Sequence, residues 1–302
     1  MKAITYTRFG GPEVLEFAER EPPDPGAGEV RVRVRAASVN PLDIKMRLGD
    51  LAGQFPPQFP ITPGLDLAGV VDSVGDEVDN VQAGDEILGS ARAGAYAELA
   101  LANVWIVKPR NLSWELATCL PTVGETAFRT LKQLGTSEGQ TLLIHGAAGS
   151  VGSIATQLAV SRGINVIGSA SDADADRVRS LGAIPVRYGD GLVERVRALA
   201  PDGIDAVLDT SGHGTLPDSI ELAGGTERVI TTADPEAHNY GVRFSSGSPG
   251  DRAWEALPQL AELAATGKLI VDIWRTYPLA EARSAHADIE AGRNHGKIVL
   301  IP

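Results

Sequence analysis

Hydrophobic and polar positions alternate along the first third of the chain. Val30, Val32 and Val34 are separated by Arg31, Arg33 and Arg35, a period of two that puts the valines on one face of a strand. Further strand-like runs follow at 67–74, 85–88, 95–101 and 105–107. Pro22-Pro23, Pro25-Gly26, Pro56-Pro57 and Pro63-Gly64 punctuate them, and short strands broken by such turns predict a small barrel. Near Asn111 the period changes. Ser113 caps a predicted helix running to about 134, with Pro121 interrupting it. Apolar runs at 141–147, 164–168, 184–188, 206–209 and 229–232 then alternate with amphipathic helices at 150–162, 172–181 and 192–200. That alternation predicts βαβ units and an α/β fold whose doubly wound parallel sheet is covered on both faces. A helix at 254–265, containing Pro258, precedes a strand at 269–273, a helix at 280–290 and a closing strand at 297–301. The expected organisation is a barrel over 1–110, a parallel-sheet domain over 111–266, and a return to the first domain over 267–302.

Composition narrows the function classes. The 302 residues exceed the ~100–200 usual for one domain. The 43% apolar fraction supplies a core. Lys and Arg number 27 against 39 Asp and Glu, and the resulting charge of −12 argues against nucleic acid or an anionic membrane as partner. An anionic ligand therefore needs a local field opposing the global one. Cys119 is the single cysteine, which excludes an internal disulfide framework and any multi-cysteine zinc site. The first residues lack the apolar run of a signal peptide, and no stretch reaches ~18 apolar residues, so a cytoplasmic protein is expected.

The sharpest motif is HGAAGSVGS at 145–153, placed between a buried strand and a helix. Gly146 suits the tight turn, Gly149 lets backbone approach a pyrophosphate, and Gly152 permits close helix–strand packing. Ser150 and Val151 open the helix, whose amide end favours an anion. A dinucleotide is the expected ligand. NAD binders place an acid ~20 residues beyond the glycines, but this chain has Ser169, Ala170 and Ser171 there. Ser171, Arg177 and Tyr188 are instead candidates for a 2′-phosphate, which favours NADPH over NADH. Asp172, Asp174 and Asp176 follow, as first-turn acids of a helix or as a repulsive cluster if they point inward. Thr232 and Phe244, at the ends of later segments, complete the candidate cofactor contacts.

AASVNPLDIKMRLG at 36–49, PGLDLAGVVDSVGDEV at 63–78, the GDEILG turn, HGAAGSVGSIATQLA and HGKIVLIP at 295–302 resemble the quinone oxidoreductase branch of the medium-chain dehydrogenase/reductase superfamily. The resemblance spans essentially the whole chain. It implies a GroES-like β-barrel catalytic domain, a Rossmann domain, NADPH as cofactor, and a homodimer joined through Rossmann sheet edges, with VRFSSGS at 242–248 as the edge. Zinc-dependent relatives carry Gly-His-Glu where this chain has Gly64-Leu65-Asp66, and a cysteine ligand near the position of Asn40. A catalytic zinc needs three protein ligands, so no metal is expected.

Without zinc, the cofactor supplies the hydride and the chain positions a conjugated acceptor. Asn40 has two readings: an amide donor to the acceptor carbonyl, or a turn residue before Pro41. The resemblance makes Asp43 structural, turns Lys45 toward the substrate, and puts Thr126 near the nicotinamide; as a plain helix residue, Thr126 is a satisfied hydroxyl. His145 is expected to hydrogen-bond beneath the glycine loop, His213 to sit at the sheet edge, and His238, His286 and His295 on the surface. Lys297 either contacts cofactor or caps the barrel. Phe55, Phe59 and the proline-rich loop 49–63 are candidates for the substrate lining and a lid. The expected activity is hydride transfer from NADPH to a small-molecule quinone or α,β-unsaturated carbonyl. The alternatives are an enoyl-thioester or polyketide-intermediate reductase on the same fold, and a non-catalytic NADPH-binding sensor or structural protein.

Overall fold

The computed structural model describes residues 1–53, 56–248 and 250–302, and the chain divides into two compact units. The first unit comprises Met1–Thr122 and Leu257–Pro302; the second is Val123–Ala256. Phe55 lies outside the described residues.

The N-terminal segment forms β1 (Lys2–Thr5), β2 (Glu16–Glu19), β3 (Val30–Val39), α1 (Pro41–Leu48), β4 (Asp66–Val74), β5 (Glu86–Ala91), β6 (Leu99–Val107) and α2 (Trp114–Thr118). The valine alternation in β3 behaves as its pattern dictates. Val30, Val32 and Val34 are buried, whereas Arg31 and Arg33 reach outward to Asp72 on β4. β3 pairs antiparallel with both β4 and β6, which closes the sheet β3-β4-β5-β6 into a barrel. The runs at 95–101 and 105–107 resolve into one strand, β6, and the segment after Asn40 is a helix rather than an open loop. Asn40-Pro41-Leu42-Asp43 explains the latter: proline presets the first helical residue, and Asn40 and Asp43 cap reciprocally.

α3 (Pro121–Leu134) starts at the proline that was expected to interrupt a longer helix, since proline is tolerated in a first turn. The second unit continues with β7 (Thr141–His145), α4 (Ser150–Val160), β8 (Asn165–Ala170), α5 (Ala175–Ser180), β9 (Ile184–Arg187), α6 (Leu192–Leu199), β10 (Ala206–Asp209), α7 (Leu216–Ala223), β11 (Val229–Thr231) and β12 (Arg243–Phe244). These strands form one parallel sheet in the order β12-β11-β10-β7-β8-β9. The order reverses between β7 and β10, and ligands of doubly wound sheets bind at that switch point, beyond the strands' C-terminal ends. Leu143, Ile167, Val186 and Val207 are buried in its core. Only Arg243 and Phe244 of the 242–248 segment are strand.

The chain returns to the first unit through α8 (Leu257–Ala265), β13 (Ile273–Pro278), α9 (Ala282–Glu290) and β14 (Lys297–Ile301). The strand expected at 269–273 forms instead at Ile273–Pro278, in parallel register with β14. β14 in turn pairs antiparallel with the end of β3, Ile298 opposite Val39, so the chain's last strand is a sheet neighbour of its third. Cys119 is fully buried in a small cluster with Ala36 and Val299.

Gly89, in the middle of β5, shows how tightly the barrel is closed. A Cβ there would lie 2.0 Å from the Val104 carbonyl oxygen on β6. Gly89→Ala should therefore lower the unfolding free energy in urea by about 3 kcal/mol. Gly26→Ala, whose Cβ meets only the Glu29 carboxylate at 3.4 Å, should change it by less than about 0.5 kcal/mol; equal effects would contradict this closure.

Candidate active site

Parallel strands end at one edge of their sheet, and most of the candidate cofactor residues of the second unit collect there. Gly146 follows β7, Ser171 follows β8, Tyr188 follows β9, Thr232 follows β11, and Phe244 ends β12. Arg177 stands on α5, half-buried. Gly149 caps α4 through backbone alone, leaving the first-turn amides at Ser150, Val151 and Gly152 for an anion.

The loop's glycines have separable reasons. Gly146 has a φ of 71°, a left-handed conformation. Gly152 packs so closely that a Cβ would lie 2.1 Å from the Gly146 carbonyl oxygen, whereas one on Gly149 would lie 3.1 Å from the same atom. The turn is pinned from the neighbouring strands. Thr210 Oγ1 donates to the His145 carbonyl at 2.7 Å, and the Ala147 amide donates to the Ser169 carbonyl at 3.1 Å. These features fit a dinucleotide whose pyrophosphate rests on the α4 amides.

His145 lies beneath the loop, fully buried, with Nδ1 3.2 Å from Ser169 Oγ and Nε2 3.1 Å from Ser219 Oγ. Ser219 spends its only proton on the Thr215 carbonyl at 2.6 Å, so His145 must donate from Nε2 and accept at Nδ1. Ser169 Oγ then donates to the ring while accepting the Gly146 amide at 3.3 Å. Burial pushes the imidazole down to about 4 despite the nearby Asp209 carboxylate. Burial raises the Asp209 carboxyl, but Thr231 and Ser211 donate to it and bring the net shift downward.

Two candidates of this unit are already engaged. Ser171 Oγ donates to Asp174 Oδ2 at 2.7 Å and accepts the Asp174 amide at 3.2 Å, so it caps a turn and its proton is committed there. Thr126 Oγ1 accepts from Arg129 at 3.2 Å. Arg129 belongs to a buried network absent from the sequence reading: Glu125 receives Arg129 Nε at 2.7 Å, Arg252 at 2.9 Å and the Ala253 amide at 2.9 Å, while Arg129 reaches Ser245. Tyr188 and Phe244 are exposed, Thr232 is half-buried, and His213 is exposed at the sheet edge. Asp172 faces Arg187 at 3.4 Å.

In the barrel unit, Asn40 is 1% exposed and both ends of its amide are used. Nδ2 donates to Asp66 Oδ2 at 2.9 Å, and Oδ1 accepts from Lys297 Nζ at 2.6 Å. This corrects its reading as a carbonyl donor: it braces α1 against β4 and β14. Lys297 is buried, its ammonium also donating to the Val39 carbonyl at 3.2 Å, so it ties the barrel. Lys45 is half-buried on α1. Asp66 receives Ser38, Asn40, the Thr122 amide and the Thr122 hydroxyl.

Asp43 is met less evenly. Oδ2 accepts the Asn40 amide at 2.8 Å and the Tyr96 hydroxyl at 3.2 Å, whereas Oδ1 is buried without a hydrogen-bond partner among the described residues. Burial foremost, with the Asp66 charge adding, raises its carboxyl to about 7, although the Asn40 amide, Lys297 and Tyr96 oppose this. Behind Tyr96 stands His286, which is fully buried rather than at the surface because α9 packs it against the barrel. Its Nδ1 lies 3.1 Å from Arg47 and its Nε2 lies 3.3 Å from the Tyr96 hydroxyl. Since the guanidinium only donates, Nδ1 accepts and Nε2 donates. Arg47 also binds Glu290. Burial, then the Arg47 charge, lowers His286 to about 3.

Asp43 also lines a cavity of about 380 Å³ with Tyr6, Met46, Pro60, Ile61 and Leu65. Phe59, at the edge of the same loop, is 39% exposed and packs edge-on against Tyr6 and Phe9. Among the described residues no group of three or more His, Cys, Asp or Glu is placed to hold a metal ion, and no helix is long and apolar enough to cross a membrane.

The two buried imidazoles give a direct check. At pH 6, ¹⁵N spectra should show His145 and His286 both neutral with the proton on Nε2; an Nδ1–H tautomer or titration near 6.5 contradicts these networks. Because both values are depressed, the unfolded chain takes up protons first, and stability present above about 6.5 should fall as pH drops toward 4.

Residues 26–109 match the family described as the alcohol dehydrogenase GroES-like domain, and residues 181–300 match the family described as zinc-binding dehydrogenase. A 2-methylene-furan-3-one reductase of Solanum lycopersicum is 33% identical, the alignment covering all of this chain and 79% of that protein. A quinone oxidoreductase of Pseudomonas aeruginosa is 31% identical over all of this chain and 99% of its own. Among solved structures, the quinone oxidoreductase of Escherichia coli complexed with NADPH superposes with a TM-score of 0.88 at 26% identity, covering 100% of both chains. Barrel, parallel sheet and glycine loop agree with these similarities, and the chain belongs to the quinone oxidoreductase family of medium-chain dehydrogenases/reductases.

Proposed function

We propose that this chain is an NADPH-dependent oxidoreductase that reduces a quinone or an α,β-unsaturated carbonyl without zinc. The observation that carries the reading is the glycine loop at the switch point of the parallel sheet, with the Gly152–Gly146 approach that leaves no room for a side chain. Similarity to an Arabidopsis thaliana protein described as an NADPH-dependent alkenal/one oxidoreductase, 31% identical, supports the acceptor class. In this reading Val123–Ala256 is the cofactor domain and the remainder is the substrate domain. NADPH, when bound, supplies the hydride.

The chain's own groups bind and orient. Amides at Ser150, Val151 and Gly152 hold the pyrophosphate, with Gly146 and Gly149 shaping the turn. Arg177 and Tyr188, beyond β8 and β9, are the proposed 2′-phosphate contacts, Ser171 serving as the cap of the turn between them. Thr232 and Phe244 line the same edge. Thr126, held by Arg129, is the proposed nicotinamide contact, and Lys45 the proposed substrate contact, with Asn40 positioning α1. A zinc ion does not fit the donors present, since Leu65 is apolar and the Asn40 amide is spent on Asp66 and Lys297.

We further infer a cytoplasmic homodimer joined through β12, the edge strand of the parallel sheet, where Phe244 is 43% exposed. Phe244→Glu should shift the sedimentation coefficient from dimer to monomer; a wild-type monomer refutes this part.

Following nicotinamide absorbance with p-quinones and enones tests the main reading. Turnover should survive dialysis against a chelator, and no turnover on either class would sink it. Gly152→Ala should weaken NADPH binding at least tenfold, and Gly149→Ala should weaken it less, because its Cβ meets the same carbonyl 1.0 Å farther away (3.1 against 2.1 Å).

A further inference from the structure

Two buried carboxyls lie close together in the barrel unit, and their surroundings differ in kind. Asp66 is met by four donors, two on each oxygen. Asp43 is met by two, both on Oδ2. A carboxylate oxygen that is buried without a donor is costly, whereas a carboxylic acid uses that same oxygen to carry its proton. The unevenness therefore selects Asp43 as the member of the pair that holds a proton. The charged and titratable groups facing it are Asp66 on β4, Lys297 on β14, Arg47 on its own helix, Tyr96 between β5 and β6, and Tyr6 after β1; His286 on α9 stands behind Tyr96. Burial dominates this balance and places the change of charge at about 7.

The leftover oxygen belongs to a residue that lines a cavity. That cavity is walled mostly by apolar groups, Met46, Pro60, Ile61 and Leu65 among them. Its cationic lining residue, Arg92, is already bound to Glu29. Such a space favours an uncharged ligand, and a buried O–H demands an acceptor.

We propose that this cavity binds an uncharged quinone or enone whose carbonyl oxygen accepts a hydrogen bond from the Oδ1 side of protonated Asp43. The proposal rests on the reductase reading for the choice of ligand, and it names the group that recognises the carbonyl. The hydrogen-bond chain behind the carboxyl runs in one direction. Arg47 donates to His286, His286 donates to Tyr96, and Tyr96 donates to Asp43 Oδ2. The acceptor positions used on that side are on Oδ2, which leaves Oδ1, the oxygen without a partner among the described residues, to carry the proton.

Duroquinone, which is methylated at every ring position open to addition, is the probe, and its binding in the absence of NADPH is read from tryptophan fluorescence between pH 5.5 and 8.5. The wild-type Kd should rise at least tenfold from pH 6 to pH 8.5, as the donor ionises. Asp43→Asn presents an amide N–H to the cavity while its oxygen still accepts from Asn40 and Tyr96; it should bind like wild type at pH 6 and keep that affinity at pH 8.5. Asp43→Leu should bind at least tenfold more weakly than wild type at pH 6 and show no further change up to pH 8.5. A flat wild-type profile overturns the proposal, as does a pH dependence unchanged in Asp43→Asn. If Asp43→Leu does not fold, the asparagine variant alone decides. Duroquinone reduction by NADPH, measured in parallel, separates the two readings. Turnover with a KM indifferent to Asp43→Asn across this pH range sinks the role of Asp43 and spares the reductase. PH-dependent binding without turnover of any acceptor does the reverse.

Discussion

The barrel unit depends on one buried contact, the ammonium of Lys297 against the amide oxygen of Asn40. It joins the two ends of the chain, because β14 must be in register beside β3 before the lysine can reach the helix cap. A lysine is rarely buried unless its charge is answered. Here the Asp66 carboxylate answers it through Asn40, and Asp66 in turn holds the amide and hydroxyl of Thr122 where α3 begins. Strand pairing, helix capping and the start of α3 are thus settled by one cluster whose hydrogen-bonded members lie from 26 to 257 residues apart in sequence.

The second unit is organised on a different principle. Its parallel strands need no long-range ion pair to collect functional groups, since β7 to β12 all end at one edge. What requires special residues is the turn from β7 into α4, where the helix approaches so closely that only Gly152 fits. Beneath it, His145 acts as a spacer with fixed donor and acceptor ends, connecting β8 to α7 under the loop. The imidazole is structural here because desolvation keeps it neutral.

Much of this was legible in the sequence where the signal was local. The period of two at Val30–Val34, the βαβ alternation after Asn111 and the spacing of Gly146, Gly149 and Gly152 each depend on neighbouring residues, and each appears in the fold. The helix at Pro41–Leu48 was written just as plainly, in the reciprocal cap of Asn40 and Asp43, but a proline after asparagine resembles a turn equally well. Nothing local marks His286 as buried or pairs Lys297 with Asn40; both follow from the packing of the last fifth of the chain onto the first. Ser171 and Asn40 had the right chemistry in the right neighbourhood, yet a side chain has few protons to give, and theirs are spent within the protein.

Cys119 gains a meaning from its surroundings. Quinones and enones are soft electrophiles that alkylate thiolates, and a protein that concentrates them near itself is at hazard from its own substrates. The chain has one thiol, fully buried against Ala36 and Val299, and burial pushes it up to about 12. The nucleophilic form is therefore scarce and unreachable at neutral pH. Paired with the acceptors proposed for this chain, that placement protects the protein from self-inactivation.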